Sequence, residues 1–124
     1  MQIISTKKAP QAIGPYSQAV MIGNMLYTSG QIALRADGRL NDGDIQTQTK
    51  QVMQNLEAVL NEAGMDFTNV VKTTIFLSDM DDFVAMNEVY ESFLSEPYPA
   101  RSTVAVKTLP KNVKVEIELV AFKQ

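Results

Sequence analysis

Apolar positions recur at two different periods along the chain, and the switches between them mark out elements. Residues 18–22 and 25–32 are short apolar runs interrupted by Gly23-Asn24, which predicts two strands and a hairpin-like break. Gly precedes Asn there, the reverse of the favoured Asn-Gly order, so the pattern leaves the register open. The stretch 36–44, ADGRLNDGD, interrupts any period with Asp and Gly and predicts a loop or a pair of turns. Between residues 44 and 63 the period lengthens. Ile45, Val52, Met53, Leu56, Val59, Leu60 and Ala63 share one helical stripe, while Gln46, Gln48, Lys50, Gln54, Glu57 and Glu62 fall mostly elsewhere. Gly64 follows as a C-cap.

VVKTTIFL, residues 70–77, is dense in β-branched residues and predicts a strand. Ser78 and Asp79 are both candidate N-caps for a second helix carrying Phe83, Met86, Tyr90, Phe93 and Leu94, which Pro97 and Pro99 are expected to end. Strand pattern returns in STVAV at 102–106, then a turn at Leu109–Asn112, then a longer strand from Val113 to Phe122. In that last strand Val113, Val115, Ile117, Leu119 and Ala121 share one face; Lys114, Glu116, Glu118, Val120 and Phe122 share the other.

The order strand, strand, helix, strand, helix, strand, strand, with one apolar stripe per helix, predicts a two-layer α/β sandwich. Both helices lie on one face of the sheet. The opposite face, bearing Val120 and Phe122, then lacks cover, and self-association through it with closed symmetry is the expected remedy.

Composition narrows the chemistry. At 124 residues with 45% hydrophobic positions, the chain is expected to fold as one domain, residues 1–124. It contains neither Cys nor His, which removes thiol nucleophiles, disulfides, Cys/His zinc sites and imidazole bases. Catalysis is left to Arg, Lys, Asp, Glu, Tyr, Ser, Thr and the backbone. Net charge is −3, and Asp79, Asp81, Asp82, Glu88, Glu91 and Glu96 lie between Lys72 and Arg101 with no basic residue among them. A surface of this kind repels phosphate backbones and disfavours nucleic acid as a partner. No apolar run has signal-peptide or membrane-spanning length, so a cytoplasmic location and no membrane partner are expected.

Five candidates for chemistry emerge, each with a plain structural alternative. Tyr16, after the turn Gly14-Pro15, either anchors the N-terminal arm or walls a pocket. Thr28-Ser29-Gly30-Gln31 is either an ordinary strand with a bulge or a small-residue gap for a ligand. Arg101, reached through Tyr98-Pro99-Ala100 and expected immediately before its strand, is either a fixed two-pronged clamp for a carboxylate or a surface partner of the nearby acids. Glu116 and Glu118 have Cα atoms about 6.5–7 Å apart on one strand face. They are either solvated edge-strand charges or, for the one in a partly buried cleft, a proton carrier near neutral pH. Asn87 is either solvated or holds a loop by its amide. The short turn between the last two strands suggests that Arg101 and Glu116 occupy neighbouring sheet positions, in one subunit or across an interface.

GPYSQA at 14–19, TSGQI at 28–32, VVKTTIFLSDMDDF at 70–83, NEVY at 87–90, PARS at 99–102 and LPKNVKVEIELVA at 109–121 together resemble the RidA/YjgF family of reactive-intermediate deaminases. The resemblance covers nearly the whole chain. It implies a chorismate-mutase-like fold and homotrimers with clefts between subunits. It also implies that Arg101 clamps the substrate carboxylate, that Glu116 positions the attacking water, and that Tyr16, Ser29 and Gly30 line the cleft. Thr103 and Asn87 are added to that lining. Many members have Cys where this chain has Thr103, so thiol reactivity is not implied here, and the stretch before PARS looks short. The implied substrates are 2-imino acids such as 2-iminobutanoate and 2-iminopropanoate, released by pyridoxal-phosphate-dependent dehydratases and hydrolysed without metal or organic cofactor. A small-molecule-binding regulator on the same scaffold is the main alternative, since fold alone does not fix function. Chorismate mutase and ribonuclease activities are disfavoured by the single well-placed cation, the acidic charge and the missing His.

Overall fold

The computed structural model describes residues 1–124. In chain order the main elements are β1 (Gln2–Ile4), β2 (Ala19–Ile22), β3 (Met25–Thr28), α1 (Ile45–Glu62), β4 (Val70–Leu77), α2 (Phe83–Ser92), β5 (Ala100–Ala105) and β6 (Val115–Phe122). The strands form one mixed sheet in the order β1-β2-β3-β6-β4-β5. Only β4 and β5 run parallel, joined through α2 as a βαβ unit. Both helices cover one face, as the single apolar stripes require, and this is the chorismate-mutase-like sandwich. No helix is long and apolar enough to cross a membrane.

Local chemistry sets the boundaries. Asp44 caps α1 by accepting from the Thr47 amide at 2.8 Å. At its other end Gly64, with φ +74, lets its own amide reach Asn61 O and the Met65 amide reach Leu60 O, closing the helix with a Schellman pair. In the β2–β3 hairpin Ile22 opposes Met25, and Gly23 has φ +57. Gly at the first turn position with positive φ suits a type II′ turn, so the Gly-Asn order fixes the register rather than loosening it. Asp79, not Ser78, provides the cap after β4, and a 3-10 turn at Met80–Asp82 precedes α2. α2 ends at Ser92, before the prolines expected to end it.

Several boundaries differ from expectation. β1 has no counterpart in the sequence pattern, being three residues long. β3 stops at Thr28 rather than residue 32; Gln31 then forms an isolated bridge to Ile117. β6 starts at Val115 rather than Val113. β5 begins at Ala100 and ends at Ala105, so Arg101 stands inside the strand and not before it. Gln48 and Asn55, polar residues of α1, are buried. Gln48 donates to Gly43 O and accepts from the Lys114 amide, and Asn55 donates to Ile32 O and Leu34 O. Each polar side chain thereby satisfies backbone groups of the loops packed against the helix.

The alternation along β6 holds: Val113, Val115, Ile117, Leu119 and Ala121 are buried beneath the helices. The other face has no helix over it. There Ile3, Val20, Tyr27 and Val120 pair in a row across β1, β2, β3 and β6, with Ile22, Met25 and Phe122 beside them. Ile3, Ile22, Tyr27 and Phe122 are exposed on this face.

Candidate active site

Arg101 is built into its position by β5, an edge strand held to β4 with Thr73 opposite Arg101. Thr73 is buried beneath α2, where its hydroxyl meets the Tyr90 hydroxyl at 2.8 Å, so Arg101 projects to the helix side of the sheet. Its guanidinium carbon lies 5.3 Å from the Phe83 ring centre and 5.2 Å from that of Tyr90. Its Nη1 donates to Asn87 Oδ1. Asn87 is therefore an arginine holder, neither merely solvated nor a loop tether. Arg101 forms no ion pair, although Glu91 lines the same cleft. The surface-partner alternative for Arg101 does not hold, and donors of the fork are left for a ligand. The cleft measures about 430 Å³ and is walled by Asn87, Tyr90, Tyr98 and Arg101. Burial raises the Tyr90 phenol above its ordinary value, with the Thr73 hydrogen bond and Arg101 opposing.

Glu116 lies on β6 between β3 and β4, well inside the sheet, so the edge-strand explanation for this carboxylate fails. Its strand partner is Phe76, and its neighbour Ile117 is buried under the helices, which turns Glu116 to the uncovered face. It lines a second cavity of about 670 Å³ with Tyr16, Ser29, Gly30, Gln31 and Lys111. Half-burial raises its pKa first, and the charge of Glu118 raises it further. Glu118, two residues on, is exposed. Gly30 makes room for this carboxylate: a β-carbon there would stand 2.8 Å from Glu116 Cδ. The Ser29 hydroxyl donates to Ser17 O at 2.5 Å and ties the arm bearing Tyr16 to the cavity wall. Buried Gln18 secures that arm from beneath, accepting from the Thr6 amide at 2.7 Å and donating to Pro10 O at 2.7 Å.

The candidate residues thus fall into two groups. Tyr16, Ser29, Gly30 and Glu116 come together in one cavity, Arg101 and Asn87 in the other. The expectation that Arg101 and Glu116 occupy neighbouring sheet positions is incorrect: β4 lies between β5 and β6, and the two side chains leave the sheet on opposite faces. Thr103 lines neither cavity. It follows Arg101 by two positions on β5, with a buried hydroxyl that has no hydrogen-bond partner. Sequence reasoning missed Tyr90 and Tyr98 as walls of one cavity and Lys111 as a wall of the other; Gln31 lines the latter as part of the Thr28–Gln31 segment. Tyr90 is hidden among the apolar positions of α2; Tyr98 reads as part of the stiff approach to Arg101, and Lys111 as part of a turn.

A family profile described as endoribonuclease L-PSP matches residues 6–123. The human protein named 2-iminobutanoate/2-iminopropanoate deaminase is 46% identical over 123 residues, covering 98% of this chain and 90% of its own. The crystal structure of RidA from the Antarctic bacterium Psychrobacter sp. PAMC 21119 superposes with a TM-score of 0.95 at 44% identity, covering 99% of this chain and 100% of the other. That of Escherichia coli TdcF with bound serine gives 0.95 at 42% identity, with both chains fully covered.

Proposed function

Since the chain belongs to the endoribonuclease L-PSP family, the RidA/YjgF proteins, we propose that it hydrolyses 2-imino acids, chiefly 2-iminobutanoate and 2-iminopropanoate, to 2-oxo acids and ammonia. The observation that carries this reading is the unpaired Arg101 fork, fixed by Asn87 and two aromatic rings at the edge of an open cleft. Such a fork receives a carboxylate through two parallel hydrogen bonds. The serine in the TdcF structure, a small acid with a carboxylate, is in keeping with a ligand of that kind.

An imine carbon is already electrophilic, so the protein has to orient the acid, place a water and move protons. Arg101 fixes the carboxylate next to C2. Glu116 accepts a proton from the water as its oxygen bonds to C2, then returns it to nitrogen. Collapse of the carbinolamine forms the C=O bond and expels ammonia. Glu116 suits this role because its raised pKa keeps it a better base than an exposed carboxylate. The gain over spontaneous hydrolysis comes from proximity and fixed charge.

Arg101 and Glu116 face opposite sides of one sheet, so the mechanism calls for a cleft between copies: Arg101 and Asn87 from one, Glu116, Tyr16, Ser29 and Gly30 from its neighbour. A homotrimer closing over the uncovered apolar sheet face supplies that arrangement. The family description names an endoribonuclease, but this chain has no histidine and carries six of its fourteen acids between Lys72 and Arg101 with no basic residue among them.

The deciding assay generates 2-iminobutanoate from L-threonine with a pyridoxal-phosphate-dependent dehydratase and traps the imine with semicarbazide. The protein is expected to lower the initial semicarbazone rate and raise free 2-oxobutanoate without changing threonine consumption. Binding of 2-oxobutanoate with no effect on semicarbazone formation at any concentration would replace the deaminase by a ligand-sensing protein.

A further inference from the structure

Lys111 is the only cation on the walls of the Glu116 cavity, and its backbone is strained. Lys111 and Asn112 have φ of 56° and 55°, two successive residues in the left-handed region that a β-carbon disfavours. Its surroundings hold the turn in place. Pro110 restricts the backbone upstream, the Asn112 amide donates to Leu109 O at 3.0 Å, and the Val113 amide donates to Pro110 O at 3.2 Å. Val113 itself is buried and anchors the turn to the core. Glycine would give the same turn without strain, so backbone geometry alone does not account for a lysine here.

The cation is also unengaged. Lys111 is exposed and makes no ion pair; of the acids on these walls, Asp37 pairs with Arg39 at 2.8 Å and Glu116 lies beyond ion-pair distance. At about 670 Å³ the cavity falls in the range that takes ligands well beyond four carbons.

We propose that Lys111 receives a second carboxylate, so that the protein accepts dicarboxylic 2-imino acids of the 2-iminosuccinate and 2-iminoglutarate type. This deepens the deaminase reading and rests on it. Arg101 holds the carboxylate beside C2, Glu116 handles the water, and Lys111 pairs with the distal carboxylate. The stoichiometry is unchanged: the water oxygen replaces nitrogen on C2, nitrogen leaves as ammonia with its own hydrogen and the two from water, and nothing is oxidised or reduced.

The test compares wild type with Lys111→Gly, Lys111→Arg and Lys111→Glu on two imines. 2-Iminoglutarate is made in situ by a flavin oxidase acting on L-glutamate and O2 with catalase present, and 2-iminobutanoate by the dehydratase. Glycine tolerates positive φ, so Lys111→Gly is expected to melt no lower than wild type. The ratio of dicarboxylic to monocarboxylic kcat/KM is expected to fall about tenfold in Lys111→Gly, to fall further in Lys111→Glu, and to hold in Lys111→Arg. An unmoved ratio in the first two, with 2-iminobutanoate still hydrolysed, overturns the role of Lys111 and leaves the deaminase standing. Calorimetric binding of 2-oxoglutarate and 2-oxobutanoate reads the same contact without turnover. Selective loss of 2-oxoglutarate in Lys111→Gly supports the second-carboxylate site even if neither imine is hydrolysed, an outcome that removes only the deaminase reading. Parallel loss of both ligands, or of neither, overturns it.

Discussion

At the scale of single residues, Gly30 and Glu116 share one small space, which makes their substitutions informative in different ways. Alanine at Gly30 must push the Glu116 carboxylate aside, because its β-carbon would stand 3.0 Å from Cγ and closer still to Cδ. In the proposed mechanism Glu116 handles the water, and displacing such a group by an ångström costs on the order of 10²-fold in rate, so Gly30→Ala is expected to lose most turnover of 2-iminobutanoate while keeping its circular dichroism spectrum. Glu116→Gln tests the charge. Burial raises this carboxyl above its ordinary 4.5, so the fold favours the protonated form. Its contribution to stability is fully present below pH 4.5 and is lost as pH rises through the higher folded value. Glu116→Gln is therefore expected to melt at or above wild type at neutral pH, with the gap closing in acid, and to turn over slowly throughout. A variant that melts lower at pH 7 would mark Glu116 as a structural anion. Thermal melts across pH, run beside Glu118→Gln, decide between the two.

At the scale of elements, Asn55 shows how a helix disciplines a loop. Its amide holds the carbonyls of Ile32 and Leu34, immediately after the Ser29–Gln31 wall. Asn55→Ala is expected to cost about 1–3 kcal/mol in urea denaturation, since Leu34 O loses its donor under a helix while Ile32 O keeps only the Leu34 amide. Protease cleavage near residues 32–34 should rise with it. Such contacts explain what could be read in advance and what could not. The stripe of α1 and the alternation of β6 are legible because each element spans enough residues to repeat its period several times. β1, with three residues, repeats nothing. Gln48 and Asn55 look solvated by period alone, yet each faces a loop whose backbone needs a partner, and that need is invisible until the loop is placed. Motif resemblance associates Tyr16, Ser29, Gly30 and Glu116, and the four line one cavity. Arg101 and Glu116 lie on strands that are consecutive in the chain, which predicts adjacency, but β4 separates those strands in the sheet. Parallel pairing of β5 with β4 is a non-local choice that no short window contains.

At the scale of the whole molecule, the uncovered sheet face and the proposed mechanism, with Arg101 and Glu116 on opposite faces, call for the same thing, a neighbouring copy. The proposed assembly should scatter light as three copies of 13.7 kDa, about 41 kDa. Arg101→Ala and Glu116→Gln, each inactive alone, are expected to regain about a quarter of wild-type activity when unfolded together and refolded at equal ratio. That fraction follows because a site drawing Arg101 from one copy and Glu116 from another finds both intact with a probability of one half times one half. No recovery, with mixed assemblies verified by mass, would place both residues in one chain's site and reject the shared cleft. The division has a further consequence, one of mass action. In the proposed assembly a lone chain carries half of each of two sites and therefore no complete one. When free chains predominate, the number of working sites rises with the cube of the chain concentration rather than in proportion to it. A protein of this design is silent at concentrations where its chains are free and gains activity steeply over the range in which they assemble.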